Sequence, residues 1–229
     1  MKIVGLCSLY EPLKFLKNKI QNLNSCNTKD LVVYFADCSS ENTFKEIFNI
    51  IKSEANFQYS IYHFPNRTTL YYTWNWIIKN MENQCSYFTN INVDDIYDPN
   101  YFDKMSQFLD IHPQYKLISC SWIVTKELQQ WPPKQQDGTV QLDPYKTMGH
   151  FPMWRSSLHK EIGYFDDRMV AIGDAYFWTK IIKKFTHKAL GVHPETLACY
   201  LSHSNNLYYA AKGPHGENGE QWDRSIGDK

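Results

Sequence analysis

Ser86-Tyr87-Phe88-Thr89-Asn90-Ile91-Asn92-Val93-Asp94-Asp95-Ile96-Tyr97-Asp98-Pro99-Asn100 is the stretch that decides how the chain is read. Its first part carries aromatic and β-branched residues at Tyr87, Phe88, Thr89, Ile91 and Val93, the composition of a strand. Two adjacent carboxylates follow, Asp94 and Asp95. Asp98 can then cap a helix, and Pro99 suits its first position. The acid pair therefore stands where a strand has ended and a helix has not begun. In an open α/β sheet that edge is where ligands bind. Two carboxylates there repel each other, and a divalent cation relieves the repulsion. Hard oxygen ligands suit a Mg²⁺ or Mn²⁺ ion that also holds phosphates. The competing reading is an acidic turn that only caps the helix.

The chain on either side has the same alternating character. Lys2 to Ser8 reads as a buried strand, and Leu13, Leu16, Ile20 and Leu23 have helical spacing. Leu31 to Ala36 is a second buried strand. It ends at Asp37-Cys38-Ser39-Ser40, where a serine can cap the helix of Phe44, Ile47, Phe48 and Ile51. Phe57 to Phe64 alternates as a third strand, and Thr68 or Thr69 opens a helix through Trp74, Ile77, Ile78 and Met81. A helix over Tyr101 to Leu109 and a strand over Lys116 to Val124 follow the acid pair. Strict alternation predicts an α/β fold with a mostly parallel sheet and helices on both faces. After Thr125 the character changes. Gln129 to Tyr145 reads as a polar, Pro-rich loop, His150 to Trp154 as a short strand and Arg155 to Ile162 as a short helix. Asp174 to Phe185 is an aromatic-rich helix, and His187 to Leu201 returns as a strand or two. The Gly-rich end reads as a flexible tail or lid.

Composition narrows the function. The 229 residues hold 24 Lys plus Arg and 24 Asp plus Glu, so no basic excess points to a nucleic acid. No apolar run is long enough to span a bilayer, so no transmembrane segment is expected. Glu11 and Pro12 interrupt the first apolar stretch, which does not read as a signal peptide. Six scattered cysteines, without a Cys-x-x-Cys pair, read as reduced core residues of an intracellular, cytoplasmic protein.

Four strand ends in the first half carry polar or aromatic residues: Ser8 with Tyr10, Asp37, Asn66 with Arg67, and Asp94 with Asp95. In a parallel sheet these ends converge. A flat ring can stack on Tyr10, Asp37 can accept an N–H from that ring, and Asp95 can hold a metal against a diphosphate. Asp174, at a helix start, is a further acid. Each has a plainer alternative: packing for Tyr10, helix capping for Asp37 and Asp174.

Taken together these segments resemble the GT-A glycosyltransferases of family-2 type, and among them those that build spore-coat polysaccharide. Cys7-Ser8-Leu9-Tyr10 resembles the opening strand, which implies that Tyr10 stacks on the donor base beside Ser8. Asp37-Cys38-Ser39-Ser40-Glu41-Asn42-Thr43 is similar to the second motif, which implies that Asp37 binds uracil. Asn92-Val93-Asp94-Asp95-Ile96-Tyr97-Asp98-Pro99 resembles the metal motif, placing Asp94 on the ribose and Asp95 on Mn²⁺ or Mg²⁺. His150-Phe151-Pro152-Met153-Trp154-Arg155 resembles an acceptor-side segment. Ile172-Gly173-Asp174-Ala175-Tyr176-Phe177-Trp178 resembles the segment of the catalytic base, which falls on Asp174. His203 is a candidate further metal ligand or a solvated histidine, and Trp74, Trp122, Trp154 and Trp178 are sugar platforms or core residues. The family's Ala-Arg-Asn is replaced by Thr73-Trp74-Asn75, leaving Arg67 as the nearest substitute cation. The resemblance implies one GT-A-like domain over residues 1–205, with a nucleotide-sugar half (1–125), an acceptor half (126–205) and a tail or lid (206–229). It also implies inverting, metal-dependent transfer of a hexosyl or N-acetylhexosaminyl group from a nucleotide-diphosphate sugar, UDP by analogy, to a glycan or other hydroxyl acceptor.

Rival classes are a non-catalytic nucleotide-sugar or glycan binder, a sugar nucleotidyltransferase and a glycoside hydrolase. The second needs a Gly-rich phosphate loop, and Ser8-Leu9-Tyr10-Glu11-Pro12 has no glycine. The third needs opposed carboxylates, whereas Asp94 and Asp95 are neighbours.

Overall fold

The computed structural model describes residues 2–143 and 149–203. The chain runs through β1 (Ile3–Leu9), α1 (Leu13–Asn24), β2 (Leu31–Asp37), α2 (Glu41–Glu54), β3 (Gln58–His63), α3 (Leu70–Met81) and β4 (Tyr87–Asn90). It continues through β5 (Ile96–Tyr97), α4 (Tyr101–Ile111), β6 (Leu117–Thr125), β7 (Gly138–Val140) and β8 (Met153–Arg155). Then come α5 (Leu158–Ile162), α6 (Gly173–Phe185), a 3₁₀ turn at His187–Ala189 and β9 (Leu190–Leu201). These strands form one sheet in the order β3-β2-β1-β4-β8-β6-β9-β5, with β7 beside β6.

The first four strands are parallel, as alternation predicts. β8 then runs antiparallel to both β4 and β6, so β6 keeps the direction of β4. β9 is parallel to β6 and β5 antiparallel to β9. Alternation alone would seat β6 directly against β4, whereas β8 comes between them. The local signal for β8 is only three residues long, and its place is set by pairing with two partners.

Periodicity sorts β1 into two layers. Ile3, Cys7 and Leu9 face a core with Leu16 and Ile20 of α1, Ile47 and Ile51 of α2, and Met105 and Leu109 of α4. Val4 and Leu6 face the other core, with Trp74, Ile77 and Ile78 of α3 and Phe177 and Trp178 of α6. All six cysteines are unpaired; Cys7, Cys38, Cys120 and Cys199 are buried. No helix among the described residues is long and apolar enough to cross a membrane.

Local boundaries differ from the sequence reading in places. The strand expected to reach Val93 stops at Asn90, and Ile96–Tyr97 pairs separately with β9. The helix expected from Pro99 starts two residues later, at Tyr101, and the Asp98 carboxylate accepts from the Asn100 N–H at 2.8 Å just ahead of it. The loop over residues 129–145 contains β7, and the short strand and helix after it are β8 and α5. The tail reading at 206–229 lies outside the described residues.

Trp154 and Trp178 are core rings, not sugar platforms: Trp154 is fully buried and Trp178 nearly so. The Trp154 indole Nε1 donates to His159 Nε2 at 2.9 Å, and His159 Nδ1 meets the Gly163 carbonyl at 3.1 Å. That pair of bonds requires the neutral Nδ1–H tautomer, since a protonated ring would aim a second N–H at an indole donor. Burial pushes the His159 pKa down to about 4. The unfolded ring, with a pKa near 6.5, therefore binds a proton first as pH falls. This contribution is intact above pH 6.5 and is lost progressively down to about pH 4. Its full size is about 3 kcal/mol. Thermal melts at pH 7 and pH 5 should show a smaller acid-induced fall for His159→Gln than for the parent. Equal falls would mean that other groups set the acid sensitivity.

Candidate active site

The parallel run β1, β2 and β4 brings three strand ends to one edge. Leu9 of β1 lies opposite Asp37 of β2, and Leu6 opposite Asn90 of β4. A cleft opens over this edge in two joined parts that share Ser8, Leu70, Val93 and Asp94. The larger, of about 850 Å³, is lined by Tyr10, Arg67, Thr68, Asp94 and His203 among others. The smaller, of about 250 Å³, runs past Asp94 to His150, Tyr200, Tyr71 and Asp174.

Its first wall depends on Glu11, which takes a left-handed backbone (φ 48°). Glu11 N donates to Ser39 Oγ, while its carboxylate accepts from Ser40 N and Thr43 Oγ1. The loop is thereby tied to the start of α2, and Tyr10 is left 51% exposed at the cleft. The Arg67 guanidinium lies 4.1 Å from the Tyr10 ring centroid. One face of the expected stacking ring thus already carries a cation.

Asp37 is elsewhere. It is fully buried and accepts from Ser39 Oγ at 2.7 Å and Ser39 N at 3.2 Å, with His63 Nδ1 at 2.8 Å. Its neighbour Cys38 lines the cleft instead. Ser8 does line it, with its hydroxyl 2.5 Å from Thr73 Oγ1.

The acid pair divides where the chain bends at Val93 and Asp94, between β4 and β5. Asp95 is 1% exposed. Its Oδ2 accepts from Asn92 Nδ2 at 2.9 Å and its Oδ1 from Leu201 N at 3.2 Å. Beneath it the fully buried Lys19 ammonium donates to the Asp95 carbonyl and lies 4.5 Å from the Tyr97 ring centroid. Burial raises the Asp95 pKa and lowers that of Lys19. Asp94 faces the cleft, with Oδ2 2.9 Å from His203 Nε2. The sequence reading put the metal on Asp95; the geometry turns Asp94, paired with His203, into the open space.

Asp174 stands in the first turn of α6, at the far end of the cleft. Tyr71 Oη donates to its Oδ1 at 3.2 Å, and so does Ala175 N at 2.9 Å. Gly173 makes room for Tyr71, since a Cβ there would sit 2.6 Å from the ring. Ile172, a β-branched residue, is held at φ 54°, a strained conformation at the cleft wall. His150 stacks on Tyr200 (4.5 Å, 14°), and burial lowers its pKa. Tyr71, Tyr200 and Lys19 were missed by sequence reasoning. Lys19 had left a signal: it falls on the buried face of α1 with Leu16, Ile20 and Leu23.

No protein-family model and no curated protein matches the sequence. Solved structures match it. One is residues 1–349 of S. aureus TarS in complex with UDP-GlcNAc, with TM-score 0.70 and 14% identity over 92% of this chain and 61% of that one. Another is S. aureus TarS, at TM-score 0.67 and 15% identity, over 99% of this chain and 42% of that one. A third is the mannosyltransferase PcManGT from Pyrobaculum calidifontis in complex with GDP-Man and Mn²⁺, at TM-score 0.70 and 12% identity, over 100% of this chain and 65% of that one. The chain thus spans less than two thirds of the length of each. At such identities the likeness is one of architecture, and the chain has the mixed α/β fold of these glycosyltransferases.

Proposed function

We propose that this chain is a glycosyltransferase that moves a sugar from a nucleoside diphosphate to an acceptor hydroxyl with inversion. One observation carries the reading. Arg67 with Tyr10, Asp94 with His203, and Asp174 line a single cleft in the order of base, diphosphate and acceptor. The donors in the TarS and PcManGT complexes, UDP-GlcNAc and GDP-Man, are of this class. With Asp37 closed off by Ser39 and His63, the resemblance to a uracil-reading motif supports UDP less than it does on sequence alone.

The residues fit a divalent cation. Among the described residues no three His, Cys, Asp or Glu side chains form a metal-holding group. Asp94 and His203 offer a carboxylate and an imidazole, which suits an ion that takes its remaining ligands from substrate phosphates. Asp94 and His203 would hold Mn²⁺ or Mg²⁺, and the ion would neutralise the leaving diphosphate. Tyr10 and Arg67 would hold the base and its ribose end. Asp174, oriented by the Tyr71 hydroxyl and the Ala175 N–H, would take the proton of the acceptor hydroxyl as that oxygen attacks the anomeric carbon. A single displacement of this kind inverts the anomeric centre.

UDP or GDP should raise the melting temperature more with Mn²⁺ than with EDTA. Asp94→Ala should abolish that difference. Asp95→Ala should instead lower the melting temperature of the unliganded protein, because it leaves the buried donors Asn92 Nδ2 and Leu201 N without their acceptor. Equal shifts with and without the ion in the parent would remove metal from the reading.

Asp174→Asn separates an enzyme from a binder on the same scaffold. Asn can keep the contacts with Tyr71 and the helix N-terminus but takes up no proton at neutral pH. Loss of a general base costs about 10² to 10⁴ in rate. The variant should fold, bind nucleotide with metal as the parent does, and transfer or hydrolyse donor at that small fraction of the parent rate. Calorimetry beside product formation checks both, and near-parent turnover would return Asp174 to a helix-end residue.

A further inference from the structure

We propose that Trp74 and Asn90 read the transferred sugar, and that the inner part of the cleft selects a neutral hydroxylated or acylamino sugar over an acidic one. This rests on the reading of the cleft as a nucleotide-sugar site. Buried polar groups in folded proteins almost always have a hydrogen-bond partner. Among the described residues three buried side-chain polar atoms have none: Trp74 Nε1, Asn90 Oδ1 and Glu82 Oε2. The first two belong to residues that line the same inner cleft as Asp94 and Asp174. Trp74 is 3% exposed and Asn90 6%.

Both side chains are held in place by other contacts. Asn90, the last residue of β4, donates through Nδ2 to the His150 carbonyl at 3.1 Å, and its own carbonyl accepts from Tyr97 Oη at 3.1 Å. That sets the amide orientation and leaves Oδ1 as an acceptor. The Trp74 indole meets Tyr71 and Phe165 edge to face, each at 5.4 Å, which fixes the ring and leaves Nε1–H as a donor. These two residues therefore offer one donor and one acceptor, neither with a hydrogen-bond partner among the described residues. A hydroxyl can accept from the first and donate to the second, and an acylamino group offers a carbonyl and an N–H for the same purpose. A carboxylate brings acceptors only. It would also face Asp94 and Asp174, in a lining that contains no Lys or Arg among the described residues.

Calorimetry on the full chain with Mn²⁺ tests this, using UDP, GDP, UDP-glucose, UDP-N-acetylglucosamine, GDP-mannose and UDP-glucuronate. At least one neutral nucleotide sugar should bind about tenfold tighter than its free nucleoside diphosphate, the size of one hydrogen bond to an otherwise unpaired buried group. UDP-glucuronate should bind no tighter than UDP. Trp74→Phe keeps an aromatic ring and removes the N–H. It should erase the sugar's tenfold increment and leave the affinity for the free diphosphate within about twofold. Asn90→Leu should do the same. If loss of its bond to His150 unfolds that variant, Trp74→Phe and the comparison of neutral with acidic sugars decide. A Trp74→Phe protein that keeps the increment, a parent without one, or glucuronate bound as well as glucose would overturn the proposal. If neither UDP nor GDP binds with Mn²⁺, the glycosyltransferase reading itself fails, and this inference with it.

Discussion

A lysine ammonium buried beneath a strand end organises this molecule. Lys19 reaches from α1 to the Asp95 carbonyl, and the Asp95 carboxylate in turn accepts from Asn92 and from the backbone of β9. A charge taken out of water is tolerated only when it is paired and its hydrogen bonds are made. Asn22, one turn further along α1, repeats the tie by exchanging hydrogen bonds with both backbone groups of Tyr97. The turn between β4 and β5 is therefore pinned from α1 on one side and β9 on the other. The Asp95 carboxylate is tied to Asn92 and Leu201, while Asp94, in the bend before it, lines the cleft and meets His203.

The same logic separates the two parts of the cleft. The outer part is built from the parallel strands and their following loops, where Tyr10, Glu11 and Arg67 sit. The inner part needs elements from after residue 149: His150 ahead of β8, Asp174 at the start of α6 and Tyr200 near the end of β9. Antiparallel β8 lies between β4 and β6 and brings these later residues alongside the acid turn. Asp174 is then held by Tyr71, which comes from the earlier half across a glycine that leaves room for its ring.

Much of this could be read from residue order. Apolar runs and helical spacing located the elements through β6 except the two-residue β5, and the acid pair at a strand end located the cleft. What escaped were features decided by partners distant in sequence. Whether Asp94 or Asp95 faces the cleft depends on Lys19 and on the N–H of Leu201, which no local pattern specifies. Asp37 stands in a motif-like setting, yet Ser39 and His63 occupy its carboxylate. Trp154 looked like a platform until His159 supplied a partner for its indole inside the core. Of all these, only Lys19 had announced itself, as a charge on the apolar face of a helix.

The bond from Leu201 to Asp95 spans 106 positions of chain. Synthesis proceeds from the N-terminus, so β1, β2, β3 and β4 with their helices leave the ribosome well before β9 exists. Through that interval the acid turn lacks the backbone donor that completes its lock, and Lys19 has only part of its final surroundings. The parallel strands β1 to β4 can thus pair before the acid turn has all of its partners. The acid turn gains its last backbone donor only when the last described strand is laid down, so the order of translation is also the order in which this corner of the cleft is completed.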